Sequence, residues 1–313
     1  MSFKRMPQKF GAAINEVVVG VGDNAMKLGG ESVLPLYSFD GPIENRPKIG
    51  VEISDTGYDA TVPGLAAYYG DTADVAELAK KAAAMPGADF VALSFEGADP
   101  NGANRSTEDC VAMAKAVCEA IDKPLVILGC KNIEKDTELF VKIAEALQGK
   151  NVLFMSAREE DYKTVAASAV LAYGQKLSAE SAVDINLAKQ LNVLINQLGV
   201  PAVQTVMNIG SAAAGYGFEY VASTLDRVRN AALGQDDKML QMPIVTPVGA
   251  DAWGVKEAIV SEEDVPEWGD REERGIEMEI STAAACVASG SNAVILRHPV
   301  SVATIAEMIG ALL

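Results

Sequence analysis

Apolar residues gather along the chain in short unbroken runs, and helical spacing follows each run. The runs are "KIGVEIS" from Lys48, "DFVALSF" from Asp89, "PLVILGC" from Pro124 and "NVLFMS" from Asn151. A weaker "QKLSAES" starts at Gln175, followed by "AVQTVMNI" from Ala202, "MPIVTPVG" from Met242 and "NAVILRH" from Asn292. Most are continuous rather than alternating, the pattern of strands covered on both faces of a parallel sheet. Between them, "STEDCVAMAKAVCEAI" places Cys110, Met113, Val117 and Ile121 on one side of a helix, with Ser106 and Asp109 in the positions of a capping box. "INLAKQLNVLINQLG" places Ile185, Ala188, Leu191, Leu194 and Leu198 on one face and stops at Gly199. "EYVASTLDRVRNAALG" and the closing "SVATIAEMIGALL" behave similarly. Eight strand–helix units in series predict an α/β fold, a (β/α)8 TIM barrel over residues 48–313. The rival, an open doubly wound sheet, would need a glycine fingerprint opening its first unit, and none stands there.

Two segments fall outside the repeat. Residues 1–47 hold "EVVVGVG" and "SVLPLYSF", separated by "GG". They predict an N-terminal β-hairpin extension closing the N-terminal end of the barrel. The stretch "ADAWGVKEAIVSEEDVPEWGDREERG" after the seventh strand is long and acidic and carries both tryptophans, Trp253 and Trp268. Its length suits a functional insertion. The two rings fit a partner surface or core packing equally.

Composition narrows the function. Hydrophobic residues form 49% of the 313, enough for a large core. The formal charge of −17, from 26 basic and 43 acidic residues, argues against nucleic acid or an anionic membrane as partner. A basic protein partner remains compatible. The start, "MSFKRMPQKF", has charge but no apolar segment behind it, and no run is long enough to span a bilayer. A soluble cytoplasmic protein is expected. Cys110, Cys118, Cys130 and Cys286 form no C-x-x-C pair, so thiols are expected rather than a zinc or iron–sulfur site.

In a barrel, ligands meet the C-terminal ends of the strands. The second strand runs into "EGADPNGANR". There Gly97 and Gly102 permit close backbone approach, and Asp99, Asn101 and Asn104 offer short donors and acceptors. The same loop could instead satisfy its own backbone through Asx turns. The fourth strand ends in "SAREED" with Ser156 and Arg158, and Asp184 stands where it would cap the next helix. The sixth ends in "NIGSAAAGYGFEY", with Asn208, Gly210, Ser211, Gly215, Tyr216 and Gly217 beside a helix start. Such a loop admits a flat ligand, another backbone or phosphate. His298, the sole histidine, reads either as a base or metal ligand or as a satisfied group at a helix start. No triad, H-E-x-x-H or Walker loop exists, so the rim holds ligand-binding groups and no assigned catalyst or metal ligand.

The stretches "NRPKIGVEI", "GADPNGANRSTEDCVA", "DINLAKQLNVLIN", "GYGFEY", "DKMLQMPIV", "EERGIEMEISTA" and "LRHP" cover about residues 45–300. Together they resemble the small subunit of the corrinoid iron–sulfur protein, the family of the acetyl-CoA decarbonylase/synthase delta subunit. The resemblance implies a (β/α)8 barrel in a heterodimer with a larger subunit that carries a [4Fe–4S] cluster and a cobamide-binding domain. The cobamide would lie between that domain and the C-terminal face of the barrel. Methyl would arrive from methyltetrahydrofolate through a separate methyltransferase and leave to acetyl-CoA synthase. This chain has neither D-x-H-x-x-G nor a four-cysteine motif, so both cofactors would be anchored by the partner. Rim position then makes Asp99, Asn101, Asn104, Asn208, Gly210, Ser211, Gly215 and Tyr216 the candidate cobamide contacts. Two other readings stand beside this one. One is a pterin-binding TIM-barrel methyltransferase, with Asp99, Asn101, Asp184 and Asn208 on the pterin. The other is a scaffold whose face meets only protein.

Overall fold

The computed structural model describes residues 6–313, and residues 1–5, part of the opening read above as carrying no leader, lie outside the described residues. Two short antiparallel strands come first, β1 (Val17–Val19) and β2 (Met26–Leu28). The eight apolar runs become β3 (Lys48–Ser54), β4 (Phe90–Ser94), β5 (Leu125–Leu128), β6 (Leu153–Ala157), β7 (Lys176–Glu180), β8 (Thr205–Asn208), β9 (Val245–Pro247) and β10 (Ala293–Leu296). They pair in parallel in the order β8-β7-β6-β5-β4-β3-β10-β9. The Met207 N–H donates to the Pro243 carbonyl at 2.8 Å and brings β8 against the run into β9, so the sheet curls into the expected TIM barrel. No described helix is long and apolar enough to cross a membrane.

Inward side chains of the strands, among them Phe90, Val126, Leu153 and Ile295, pack with Val17, Val19, Met26 and Leu28 of the hairpin. The hairpin therefore plugs the N-terminal end of the barrel. Asn151, just before β6, holds it there: its Nδ2 donates to the Val18 and Gly20 carbonyls at 2.9 and 2.8 Å. One detail of the expected extension is corrected. Its second strand is the three-residue "MKL", buried–exposed–buried, and "SVLPLYSF" forms turns in which Leu36 takes φ 60°.

Gly50 shows how tightly this interior is filled. It pairs with Phe90, and a Cβ at Gly50 would stand 2.2 Å from that ring. Gly50→Ala is expected to destabilise the fold by about 1–3 kcal/mol through overpacking. A urea midpoint equal to wild type would contradict this.

The helices start where their caps predict. Ser106 accepts from Asp109 N at 3.1 Å and opens Thr107–Ala120; Asp184 accepts from Asn186 N at 2.7 Å and opens Ile185–Gln197. In the latter helix the buried face is Ala188, Leu191, Asn192 and Ile195, while Leu198 lies exposed past the end. The face is turned toward Asn192 because its amide donates to the Met239 carbonyl at 2.7 Å. The insertion after β9 is ordered as short turns of helix, Gly249–Ala252, Lys256–Ile259 and Pro266–Trp268, leading into Arg271–Ser289. Trp253 stacks on His298 at 5.7 Å, and Trp268 remains partly exposed beside Arg274.

Candidate functional site: the barrel mouth

The C-terminal strand ends surround a cavity of about 290 Å3, bordered by Ser94, Leu128, Ser156, Glu180, Asn208 and Pro247 from six consecutive strands. Its charge is mostly negative. Glu52, Glu96, Asp99, Asp136, Glu180 and Asp251 face it, with Lys131 and Arg158 as its cations. The charges are arranged in pairs. Arg158 lies 3.3 Å from Glu180 and 3.9 Å from Asp136. Arg297, just past β10, donates to Glu52 at 2.7 Å and to Glu96 at 2.9 Å. Burial works against the Arg297 charge, but Glu52, Glu96 and Glu279 together hold its pKa above the ordinary guanidinium value.

Behind the rim, Glu279 is fully buried and accepts from the Arg297 and His298 backbone at 2.6 and 3.2 Å. Burial raises its pKa against those bonds. His298 is 2% exposed; its Nδ1 accepts from Val300 N at 3.2 Å, so Nε2 carries the proton toward Glu272 Oε1 at 3.0 Å. Both nitrogens are committed, which is the satisfied helix-start role rather than that of a base. Cys130 borders the mouth, but burial pushes its thiol up to about 12, far from a thiolate at neutral pH.

The opening loop "EGADPNGANR" is braced from below. Asp55 is buried and accepts from Gly97 N and Arg105 Nε, each at 2.8 Å. Gly97 is required there, since a Cβ would come 2.7 Å from the Asp55 carboxylate. Asp99 accepts from Asn101 N at 2.9 Å with its side chain and from Asn104 N at 3.0 Å with its carbonyl. Asp99 still borders the cavity, while Asn101 and Asn104 are exposed on the outer turn, Asn104 with φ 48°. Asn208 is 5% exposed at the cavity wall, donating to Ser156 Oγ at 3.1 Å and Glu180 Oε2 at 3.3 Å, and accepting from Gly210 N at 3.0 Å. Ser211 lies beside Asp251, its hydroxyl buried and outside hydrogen-bond geometry with any described group. Gly215 and Tyr216 sit farther out, where Tyr216 donates to Glu257 of the insertion at 2.8 Å.

The structure therefore gathers Asp99 and Asn208 at the cavity and leaves Asn101, Asn104, Gly215 and Tyr216 on its outer margin. It adds Glu52, Glu96, Lys131, Glu180, Asp251 and Arg297, which sequence reasoning missed. Glu52 and Arg297 did leave a trace: each interrupts or directly follows an apolar run, and a charge there needs a buried partner.

Asp251 gives a pH test. Burial raises its carboxyl pKa, with Lys131 and Arg297 opposing. A carboxyl whose folded pKa exceeds its unfolded one binds more protons in the folded state. Stability is then lost as pH rises from the unfolded value through the folded one. Asp251→Asn removes this loss, so its Tm relative to wild type is expected to rise between about pH 4 and pH 7. A constant difference across that range would refute the assignment.

The sequence profile of the family described as "CO dehydrogenase/acetyl-CoA synthase delta subunit" matches residues 16–298. The chain is 32% identical to the acetyl-CoA decarbonylase/synthase complex subunit delta of Archaeoglobus fulgidus, over 99% of this chain and 71% of that protein. It is 31% identical to subunit delta 2 of Methanosarcina acetivorans over 90% of this chain, and spans just under two thirds, 65%, of that relative's length. Among solved structures, a Xanthomonas albilineans dihydropteroate synthase with 4-aminobenzoic acid superposes with TM-score 0.56 at 14% identity, covering 87% of this chain and 95% of that one. A Yersinia pestis dihydropteroate synthase gives 0.54 at 12% identity, over 85% and 93%. At such identity the likeness concerns the fold alone.

Proposed function

Because the chain belongs to the CO dehydrogenase/acetyl-CoA synthase delta subunit family, we propose that it is the barrel subunit of a heterodimeric corrinoid iron–sulfur protein, its mouth laid over a cobamide anchored by a larger partner. The observation that carries this reading is the mouth itself: a cavity of about 290 Å3 ringed by hydrogen-bonding groups. A corrin ring is too wide to enter such a space, so it would lie across it. Its peripheral amides are neutral and offer both N–H and C=O groups, which suits a rim of mixed carboxylates, amides and cations. The candidate contacts from the chain are Asp99, Asn208 and Ser211 near the cavity, with Asn101, Asn104, Gly210, Gly215 and Tyr216 toward the margin. Lys131 makes no ion pair within 4.0 Å among the described residues and is free to donate to an amide carbonyl.

When bound, the cobamide supplies the reactive metal that carries a methyl group. This chain's residues would fix the orientation of the ring and keep water from its face. His298 has no free nitrogen to offer a metal. The [4Fe–4S] cluster would sit in the larger subunit. A methyltetrahydrofolate methyltransferase would supply methyl and acetyl-CoA synthase would receive it, in the cytoplasm, with no nucleic acid or membrane as partner.

Anoxic reconstitution tests the proposal. Adding the chain to a cobamide-loaded larger subunit is expected to shift the corrinoid visible spectrum and yield a two-chain complex. An unchanged spectrum would leave the face as a protein-only scaffold and overturn the covering role. Methylation of free cobalamin by the chain alone from methyltetrahydrofolate would instead establish the pterin-binding methyltransferase.

A further inference from the structure

A second cavity, of about 310 Å3, lies beside the mouth and is not used by the proposed covering role. Glu52 and Glu96 border both spaces, and the Arg297 bridge between them forms the partition. The floor is apolar: Ile53 from β3, Val62 and Leu65 at the helix Pro63–Tyr69, and Leu78 from Val75–Ala84. Aromatic faces complete it. Tyr58 and Tyr69 stack at 5.2 Å, and Trp253 of the insertion closes the opposite side.

Its two arginines are already engaged. Every guanidinium nitrogen of Arg271 is engaged, by Ala258 O at 2.8 Å, Thr61 Oγ1 at 2.9 Å and Asp59 at 3.3 Å. Arg297 is shared by Glu52 and Glu96. Three carboxylates (Glu52, Asp59, Glu96) against two guanidiniums leave one net negative charge and no free cation, so an anion is disfavoured. Three polar atoms in the wall residues lack a hydrogen-bond partner among the described residues, Glu52 Oε2, the Tyr69 hydroxyl and Trp253 Nε1, and Glu52 and Tyr69 are 6% and 2% exposed. Buried groups of this kind are ordinarily satisfied, and a pocket of this size is within the range that holds small molecules.

We propose that this side cavity is a binding site for a small flat nitrogen heterocycle, neutral or singly protonated, whose N–H meets Glu52. The apolar and aromatic walls hold the ring, Glu52 reads its donor edge, and the matched arginines exclude acids. The site is independent of the cobamide reading, since it needs no partner chain.

The full chain carries only two tryptophans, so Trp268→Phe makes Trp253 the sole reporter. Titrating that variant with adenine is expected to give saturable quenching at one site, with calorimetry agreeing. The anion orotate is expected to bind at least about tenfold more weakly. Val62→Phe, which fills the floor, is expected to abolish binding, and Glu52→Gln to weaken it severalfold. A crystal of the full chain soaked with adenine should show the ring between Leu65 and Trp253, whether or not Val62→Phe folds. The site is overturned if neither quenching nor heat saturates, if folded Val62→Phe binds as wild type, if the soak leaves this cavity empty, or if orotate binds as tightly as adenine.

Discussion

Arg229→Met is expected to lower stability by about 4 kcal/mol, with the urea midpoint shifted and its slope unchanged. Arg229 is 2% exposed and sits in the helix Phe218–Gly234 beneath the barrel. Its guanidinium donates to the Gly290 carbonyl at 2.9 and 2.6 Å, to the Met242 carbonyl at 3.4 Å and to Asn292 Oδ1. These acceptors precede β9 and β10, so one side chain organises the entry to both strands. Burial lowers its pKa and the Glu31 carboxylate opposes that effect. Asn292 in turn donates to Glu31 at 2.8 Å, which links the N-terminal segment to the same point. Methionine restores the volume and removes a costly buried charge, but the Gly290 and Met242 carbonyls remain shut in without a donor, and Asn292 Oδ1 keeps only the Ile244 N–H at 3.0 Å. Each such loss costs about 1–3 kcal/mol, more than the relieved desolvation returns. A loss below about 1 kcal/mol would mean that water replaces the guanidinium. Because Arg229 lies at the end opposite the mouth, the proposed covering of a partner-held cobamide by the surviving folded fraction should match wild type.

The strands were legible because each is covered on both faces and therefore reads as an unbroken apolar run. Even the weak "QKLSAES" yields β7, where Leu177, Ser178 and Ala179 are all buried. The hairpin partner was not legible: three residues, Met26–Leu28, are too few to display a period, whereas "SVLPLYSF" has strand composition and lacks strand geometry. At the site, strand-end position was enough to find Asp99 and Asn208. It could not tell which side chains of a loop turn inward, so Asn101 and Asn104 read the same as Asp99. The Glu52–Arg297 pair spans 245 residues of chain, and no local pattern reports a partner at that separation. What a sequence does show is the anomaly of a glutamate inside "KIGVEIS", the first barrel strand.

That anomaly underlies the second large effect. Arg297→Met is expected to cost about 3–5 kcal/mol, the range for removing one partner of a buried pair. The side chain of Glu52 is 3% exposed and that of Glu96 is 47% exposed, while Arg297 itself is 27% exposed. Nearly all of the loss therefore belongs to Glu52, stranded without its counterion, and the exposed Glu96 contributes less than about 1 kcal/mol. Three variants separate these contributions. Glu96→Gln should leave the unfolding midpoint almost unchanged. Arg297→Met alone should lower it steeply. Glu52→Gln combined with Arg297→Met should recover most of the loss, because the stranded charge is gone. If the double variant is as unstable as Arg297→Met, the arginine acts through packing against Gly249, whose Cβ position lies 2.8 Å from the Arg297 side chain, and not through charge. Since the same bridge divides the mouth from the side cavity, the recovered double variant should also let the two spaces merge. The proposed cobamide cover would then be expected to lose retention even where stability has returned.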